Sequence, residues 1–318
     1  MRELTIQKND ADQRLDRFLG KAVPLLPASL AQKYIRLKRI KVNGARAERD
    51  YRLCEGDRLQ LYLNDEFFEA PSEENVYLTI VNPRLHIIYE DENIMLLDKP
   101  AGMVVHADEG EKVNTLVNHL LAYLYQKREW KPREENAFTP ALCNRIDRNT
   151  GGIVIAAKNA EALRVLNEKI RERELSKFYL CICLGRPEPP KGRIECFLRK
   201  DSKTNTVRVY HHPVPDGRSA VTLYETLETR DRLSLVEVEL LTGRTHQIRA
   251  SFADMGHPLL GDGKYGVGSV NRRYGEAQQA LYSYRLRFDF PTDAGILNYL
   301  RGREFIADEV PFRRKYFG

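Results

Sequence analysis

Residues 142–152 read LCNRIDRNTGG. The stretch sets one acid, Asp147, between Arg145 and Arg148 and closes on the pair Gly151 and Gly152. Two readings compete for such a cluster. Arginine–aspartate groups often decorate solvated turns, where an exposed pair contributes about 0–1 kcal/mol. In the other reading the acid is a reactive group that its neighbours orient, followed at once by a backbone hinge. In an extended segment Arg145 and Asp147 point to the same side, because the side-chain period is two.

Working outward, the chain from residue 86 onward is dense in strand signals: HIIYED, NIMLLDK, GIVIAAK, FYLCICL, RIECFL, TVRVY, AVTLYETL, LSLVEVELL and LYSYRLRF. Two helical patterns interrupt them. The first places Val113, Leu116, Val117, Leu120, Leu121 and Leu124 on one face. The second runs from an Asn159 cap through Leu163, Leu166 and Ile170. Many strands with few, irregularly placed helices predict an α+β fold, not alternating βαβ units. There is no internal repeat and no low-complexity tract.

The 318 residues fit two domains, and 42% hydrophobic content with 16 Tyr is ample for folding. Lys and Arg exceed Asp and Glu by 51 to 45, for a net charge of +6, so the distribution of charge says more than its sum. The first residues, MRELTIQKND, turn polar before a signal-peptide core can form, and no run approaches the 18 apolar residues of a membrane helix. Five cysteines, an odd number, suit a reducing compartment. Cys181 and Cys183 alternate, as on one face of a strand. No Cys-x-x-Cys pair and no His pair at helical ligand spacing occurs. The expectation is a cytoplasmic, monomeric protein with no membrane contact, no metal and no cofactor.

Residues 12 to 63 form a unit by pattern. Leu15, Phe18, Leu19 and Ala22 recur at helical spacing, and a second helical stretch near 29 to 38 carries Leu30, Tyr34 and Leu37. In IKVNGARAE, Asn43 and Gly44 supply the positive φ angles of a tight hairpin. From Lys33 to Arg52 eight basic residues, among them Lys33, Arg36, Lys38, Arg39 and Lys41, face only two acids. An isolated charge run is more often a solvated helix face. Here the run spans a helix, a strand and a turn, as a patch that tracks phosphates would. This unit resembles the small RNA-binding domain of a ribosomal small-subunit protein, on the residues RLDRFL, IRLKRIKVNG and Gly56-Asp57. That family more often has Gly where Lys38 or Arg39 stands. Residues 64 to 83 carry five acids and no Lys or Arg and read as a linker that ends by docking on the next domain. The expected domains are therefore 1–63, a small α/β RNA-binding domain, and 84–318, a catalytic domain.

Polar clusters punctuate the later strands: LDKPAGMVVHAD, NRIDRNTGG, SKFYLCICLGR, TGRTHQIRASF and HPLLGDGKYG. Singly they are weak; a lone His106 or His246 is more often a surface or hydrogen-bonded residue than a catalyst. There is no P-loop and no serine nucleophile elbow, and the GVG at 266–268 follows no strand. In this order and spacing, however, the clusters resemble the RluA-type pseudouridine synthases. The resemblance covers about residues 86 to 290. It implies a long, bent mixed sheet flanked by helices, with a cleft across its middle. It also implies isomerisation of uridine in structured RNA: the glycosidic bond breaks, the uracil turns, and the base rejoins the sugar through carbon 5. That chemistry needs one carboxylate acting as nucleophile or base.

By this resemblance Asp147 is the indispensable acid and Arg249 its ionic partner. Tyr179 stacks on the flipped uracil, Ile248 packs under it, and Arg145 fills the stack that the base leaves. Arg148 is expected beside the substrate as well. The chain departs from the family in Asn144, where His is common, in Gly151, where the motif has Ser, and in Tyr282-Ser283, where His-Ala is common. Related enzymes with the N-terminal module mostly modify ribosomal RNA, so large-subunit ribosomal RNA is the expected partner. Transfer RNA is the enzymatic alternative. A non-catalytic RNA-binding assembly factor would keep the basic module without needing Asp147, and a metal-dependent nuclease lacks a clustered acidic ligand set.

Overall fold

A computed structural model describes residues 1–23, 25–63, 65–68, 72–132 and 134–318. The chain divides into two compact units. One comprises residues 1–84, 117–141 and 157–163; the other comprises 85–116, 142–156 and 164–318.

In the first unit, α1 (Leu15–Ala22) and α2 (Ala28–Arg36) accompany a four-stranded sheet. Its strands are β1 (Arg2–Thr5), β2 (Ile40–Val42), β3 (Ala45–Arg46) and β4 (Arg58–Leu61), in the order β1-β4-β2-β3. The helical spacing of Leu15, Phe18 and Leu19 has its cause in the core, where all three are buried with Ile35, Leu59 and Leu61. Leu37 was expected on the apolar face of α2 but is exposed. The helix has already ended there, because Lys38 takes a left-handed backbone (φ 59°) that turns the chain into β2. This is the turn at which the related domains favour Gly, and Lys38 adopts the glycine-like conformation despite its side chain. Asn43 (φ 51°) and Gly44 (φ 77°) form the two-residue hairpin between Val42 and Ala45. The Asp57 carboxylate ties the domain together by accepting from Asn43 Nδ2 (2.8 Å), the Cys54 amide (2.8 Å) and the Tyr51 hydroxyl (3.2 Å).

Chain from beyond residue 116 belongs to this unit through polar and aromatic contacts. Asn136 Nδ2 donates to the Thr5 carbonyl (2.8 Å) and to Asp10 (2.9 Å), and Asn9 Oδ1 accepts from the Ala160 amide (3.1 Å). Compactness follows these contacts, whereas the sequence boundaries at 63 and 83 followed composition. Of the acidic segment 64–83, residues 64 and 69–71 lie outside the described residues. Its later part winds into a 3-10 stretch, Ser72–Thr79, and Tyr77 is buried against the rings of Tyr125 and Trp130. The first predicted helix of this region is α3 (Leu116–Gln126). Val113 was expected on its apolar face but precedes it and is exposed.

The second unit is built on an eleven-stranded sheet. Its strands are β5 (Ile87–Glu90), β6 (Ile94–Lys99), β7 (Ala141–Leu142), β8 (Gly151–Ala157), β9 (Leu175–Leu184), β10 (Lys191–Asp201), β11 (Thr206–Tyr210), β12 (Arg218–Arg230), β13 (Leu233–Leu240), β14 (Leu281–Phe288) and β15 (Glu304–Ile306). The order is β11-β10-β12-β13-β9-β14-β8-β6-β5, with β15 on β14 and β7 on β8. β14 runs parallel to β8 and antiparallel to β9 and β15, so the sheet is mixed, as expected. Every predicted strand run is a strand. The two additional ones, β7 and β15, are two and three residues long and too short to show a period.

Helix α4 (Ala160–Arg171) begins where Asn159 Oδ1 accepts the Ala162 amide (2.8 Å), the cap that the sequence suggests. Helices α5 (Gln247–Asp254), α6 (Gly268–Tyr274) and α7 (Pro311–Phe317) were not predicted. The reason for α5 is physical: Gln247 through Phe252 are buried on every side, so no apolar stripe marks the helix.

The Gly151–Gly152 pair is not a hinge. It opens β8 at the parallel pairing of Gly151 with Tyr282 and Gly152 with Ser283. A Cβ on Gly151 would sit 2.4 Å from the Tyr282 ring; one on Gly152, whose φ is 109°, would sit 2.2 Å from the Ser283 carbonyl oxygen. The glycines are there because β14 comes too close for side chains, and Tyr282 fills the space that a side chain at 151 would need. Gly152→Ala should therefore destabilise the protein by roughly 1–3 kcal/mol or more. Gly151→Ser should do so too, but Gly151→Ser combined with Tyr282→His should recover most of the loss in thermal melts. Additive damage in the double variant would refute the shared-volume account.

Candidate active site

Asp147 lies in the turn between β7 and β8, a segment without regular structure that is clamped from several sides. At its base the Cys143 amide donates to the Ile155 carbonyl (2.7 Å), and Asn144 Oδ1 accepts from the Ile155 amide (2.8 Å). Asn144, which replaces the common His, thus closes the loop's neck. At its tip the Arg148 carbonyl accepts from the Gly102 amide (2.8 Å) and from Lys99 Nζ (3.0 Å). Thr150 donates its amide to the Asp147 carbonyl (3.0 Å), and its hydroxyl accepts from Gln279 (3.2 Å).

Lys99 is fully buried, and its ammonium also reaches the carbonyls of Pro100 (2.9 Å) and Met103 (2.8 Å). Burial draws it down to about 7, against the upward pull of Asp147 and Asp98. Three carbonyl oxygens match the three ammonium protons, so only the charged form satisfies all of them. The KPAG cluster, read from sequence as part of a motif without a named residue, therefore acts through Lys99 as a support for the acid's loop.

The Asp147 carboxylate is a quarter exposed, and its Oδ2 accepts from Arg249 Nη1 at 2.8 Å. Arg249, on the first turn of α5, is itself gripped from behind. Its Nε and Nη2 donate to the two oxygens of Asp262 (2.7 and 2.9 Å), a fully buried carboxylate that also accepts the amides of Lys264 (2.8 Å) and Tyr265 (3.1 Å). Burial alone would raise Asp262; the hydrogen bonds and charge of Arg249, with the two amides, outweigh it and hold the acid below the usual carboxylate range. Burial likewise works to lower Arg249, and the bonds and charges of Asp262 and Asp147 raise it instead. Asp262 sits in the HPLLGDGKYG cluster but was not singled out, because nothing in a sequence marks a lone acid in a glycine-rich turn as the anchor of an arginine thirteen residues earlier.

His246 precedes α5 in a left-handed conformation (φ 52°). The Tyr265 hydroxyl accepts the Val207 amide (2.7 Å) and meets His246 Nδ1 at 2.9 Å. The other ring nitrogen, Nε2, lies 3.8 Å from Asp147 Oδ2. Burial lowers His246 to about 4, although Asp147 pulls the other way. Arg249 and His246 both address Oδ2, so Oδ1 is the oxygen left to the cleft.

That cleft, of about 290 Å³, is lined by Arg145, Ile146, Asp147, Tyr179, Ile248 and Arg249 among others, and Asp147 is the only acid among its described lining residues. Tyr179 stands on β9 opposite Ser283 of β14, beside a bulge between Ser283 and Arg285. Burial raises its phenol to about 12, a hydrogen bond to Ser283 acts against this, and Asp147 adds to it, so the ring stays neutral. Ile248 is buried and Arg145 is exposed at the cleft. Arg148 is not part of the lining; its Nη2 holds Asp108 (2.9 Å to each oxygen), a surface tether for the loop at 108–111. The five basic residues singled out in the small domain lie in the other unit. Lys33, Arg36, Lys38 and Arg39 are exposed, Arg39 stacks over Tyr34 (5.2 Å) and Lys41 over Tyr62 (5.5 Å), and none of the five pairs with an acid among the described residues.

Two consequences can be measured. Asp262→Asn keeps the shape but removes the charge that fixes Arg249, at a cost of roughly 3–5 kcal/mol for a broken buried pair; activity should fall with it. Unfolded His246 titrates near 6.5 and folded His246 near 4, so the unfolded chain binds the extra proton between those values. Stability should drop as pH falls from 6.5 toward 4, and His246→Gln should flatten that limb. Parallel acid limbs in the wild type and the variant would refute the neutral-histidine assignment.

The site's geometry agrees with what the chain resembles. A family model described as RNA pseudouridylate synthase matches residues 93–254, and one described as S4 domain matches residues 13–59. An uncharacterized RNA pseudouridine synthase of Mycoplasma genitalium is 33% identical over 89% of this chain and 88% of its own length. A protein of Vibrio parahaemolyticus named ribosomal large subunit pseudouridine synthase C is 30% identical over 91% and 88%. Among solved structures, human RNA pseudouridylate synthase domain containing 4 shares the fold with a TM-score of 0.54, at 20% identity, over 71% of this chain and 89% of that one. The chain belongs to the RNA pseudouridylate synthase family, as an RNA pseudouridine synthase with an S4 domain ahead of its synthase domain.

Proposed function

We propose that this enzyme converts specific uridines of structured RNA, in the first place large-subunit ribosomal RNA in the cytoplasm, through the single carboxylate Asp147 acting on a base flipped into the cleft. The observation that carries the reading is the placement of Asp147 as the only acid among the described residues of the cleft, with Oδ2 held and Oδ1 turned to the open space. The isomerisation breaks the bond between C1′ and N1, joins C1′ to C5, moves a proton off C5 and leaves one on N1. No atom is gained or lost. A carboxylate held in a fixed position serves this chemistry as nucleophile or base.

A duplex hides the reacting atoms, so the uridine has to leave the stack. Tyr179 then offers its neutral ring to the uracil, Ile248 an apolar support, and the exposed Arg145 a planar group to take the vacated place. Ribosomal RNA is favoured by the S4 domain with its unpaired cations and by the printed name of the Vibrio relative. Cations such as Lys38, Arg39 and Lys41 would contact phosphate, which sets register and affinity without reading bases.

Pseudouridine mapped in RNA from cells with and without the protein tests the substrate: sites lost in large-subunit ribosomal RNA support it, and sites lost only in transfer RNA refute it. For the chemistry, purified Asp147→Asn should form no pseudouridine while binding RNA within about twofold of the wild type; turnover above contamination would refute the assignment. Reversal of Lys38, Arg39 and Lys41 to Glu should weaken binding and flatten its salt dependence by roughly 0.9 per lost phosphate contact on duplex RNA. An unchanged salt slope would leave those residues as solvated surface.

A further inference from the structure

The catalytic cleft continues past Tyr179. A second cleft of about 350 Å³ adjoins it and shares Lys177 and Arg244 with it. The strand pleat explains the continuity. Alternate residues of β9 face one side, so Leu175, Lys177 and Tyr179 form a row with about 7 Å from each to the next. Leu175 and Lys177 line the second cleft, and Lys177 and Tyr179 line the first.

The second cleft is cationic. Arg171, Arg173, Lys177 and Arg244 line it, and among its described lining residues there is no Asp or Glu. Arg171 is paired with Glu172 (2.9 Å), and Arg244 donates Nε to the Ser219 carbonyl (3.1 Å). Arg173 is exposed, in a left-handed backbone (φ 61°) just before β9. Lys177 is the odd member. It is half-buried, its ammonium meets no hydrogen-bond or ionic partner among the described residues, and burial is the one influence on it, drawing it below the usual lysine value. A partly buried cation without a partner gains charge-assisted hydrogen bonds when an anion arrives. The structural alternative is a lysine whose stem merely covers apolar surface; against it, Lys177 lines both clefts at once, among cations and with no Asp or Glu among the described residues of the second.

We propose that this second cleft binds an RNA phosphodiester flanking the target uridine, with Lys177 as the cation at its floor and Arg173 at its rim. The proposal rests on the reading of Asp147 and Tyr179 as the reacting centre, since the row on β9 places the phosphate one side-chain step from the base. It assigns to the cleft a contact that fixes the strand on either side of a flipped nucleotide, distinct from the cations of the S4 domain.

The test uses the whole protein and a heptanucleotide of adenosines with one central uridine, bound in 50 to 200 mM salt. Methylphosphonate is placed at one linkage at a time to remove single charges. In the wild type one linkage next to the uridine should matter, with affinity falling about tenfold when it is neutralised. Lys177→Met should show the same loss on the unmodified strand, a salt slope shallower by roughly 0.7, and no further effect of that linkage. Lys177→Arg should restore the slope. Should Lys177→Met fail to fold, Arg173→Asn gives the same readout at a backbone that Asn tolerates. Equal slopes and equal linkage sensitivity in wild type and variant, or no binding of the heptanucleotide, would overturn the proposal. Pseudouridine formation in RNA from cells lacking the protein is scored alongside. Activity without a linkage effect overturns the phosphate site alone; a linkage effect without activity overturns the function.

Discussion

The guanidinium of Arg249 is shared by two carboxylates of opposite character, and the rest of the site depends on that sharing. Asp262 is fully buried, and both of its oxygens are held by the arginine and by amides. Asp147 is partly exposed, and only one of its oxygens is bound. The planar fork of arginine allows this division, because two nitrogens can face one acid while the third faces another. A lysine would offer a point charge without direction. The buried acid fixes the arginine, and the arginine passes that fixed position to the acid at the cleft.

The same economy appears in the loop that carries Asp147. It has no regular structure of its own, yet its neck is closed by Asn144 and its tip by Lys99 and the Gly102 amide. Rigidity is thus supplied from other strands. Groups held in place before the substrate arrives avoid reorganisation during the reaction, which is where positioned carboxylates gain most of their effect. The glycine pair after the loop serves this end by letting β8 lie directly against β14, the strand whose Ser283 faces Tyr179.

Affinity and chemistry are separated along the chain. The S4 domain presents exposed cations, of which Arg39 lies over a tyrosine ring, as does the half-buried Lys41. The synthase domain sets Arg145, Lys177, Arg244 and Arg249 along its clefts. On the proposed reading, contacts of the first kind set where the RNA lies, and those of the second act on one nucleotide.

How much of this was legible in the sequence depended on the range of the interactions. Strands with alternating apolar residues were readable because burial on one face imposes a period of two, and α1 because Leu15, Phe18 and Leu19 impose a helical one. The tight hairpin at Asn43-Gly44 was readable because few residues take positive φ. The order NRIDRNTGG, SKFYL, THQIR identified the family and, through it, Asp147, Tyr179 and Arg249, which the structure brings to one cleft. What the sequence could not show were pairings without local cause. Asp262 anchors Arg249, Lys99 gathers three carbonyls, and Tyr282 fills the space beside Gly151 only because strands distant in sequence become neighbours in the sheet. Helix α5 was hidden for a related reason, since complete burial erases the pattern that partial burial writes. Arg148, expected beside the substrate by its place next to Asp147, pairs with Asp108 at the surface, a contact that its position in the sequence did not suggest. Sequence determined the fold class, the family and the candidate acid; tertiary structure decided which groups hold that acid still, because those groups meet only when the chain is folded.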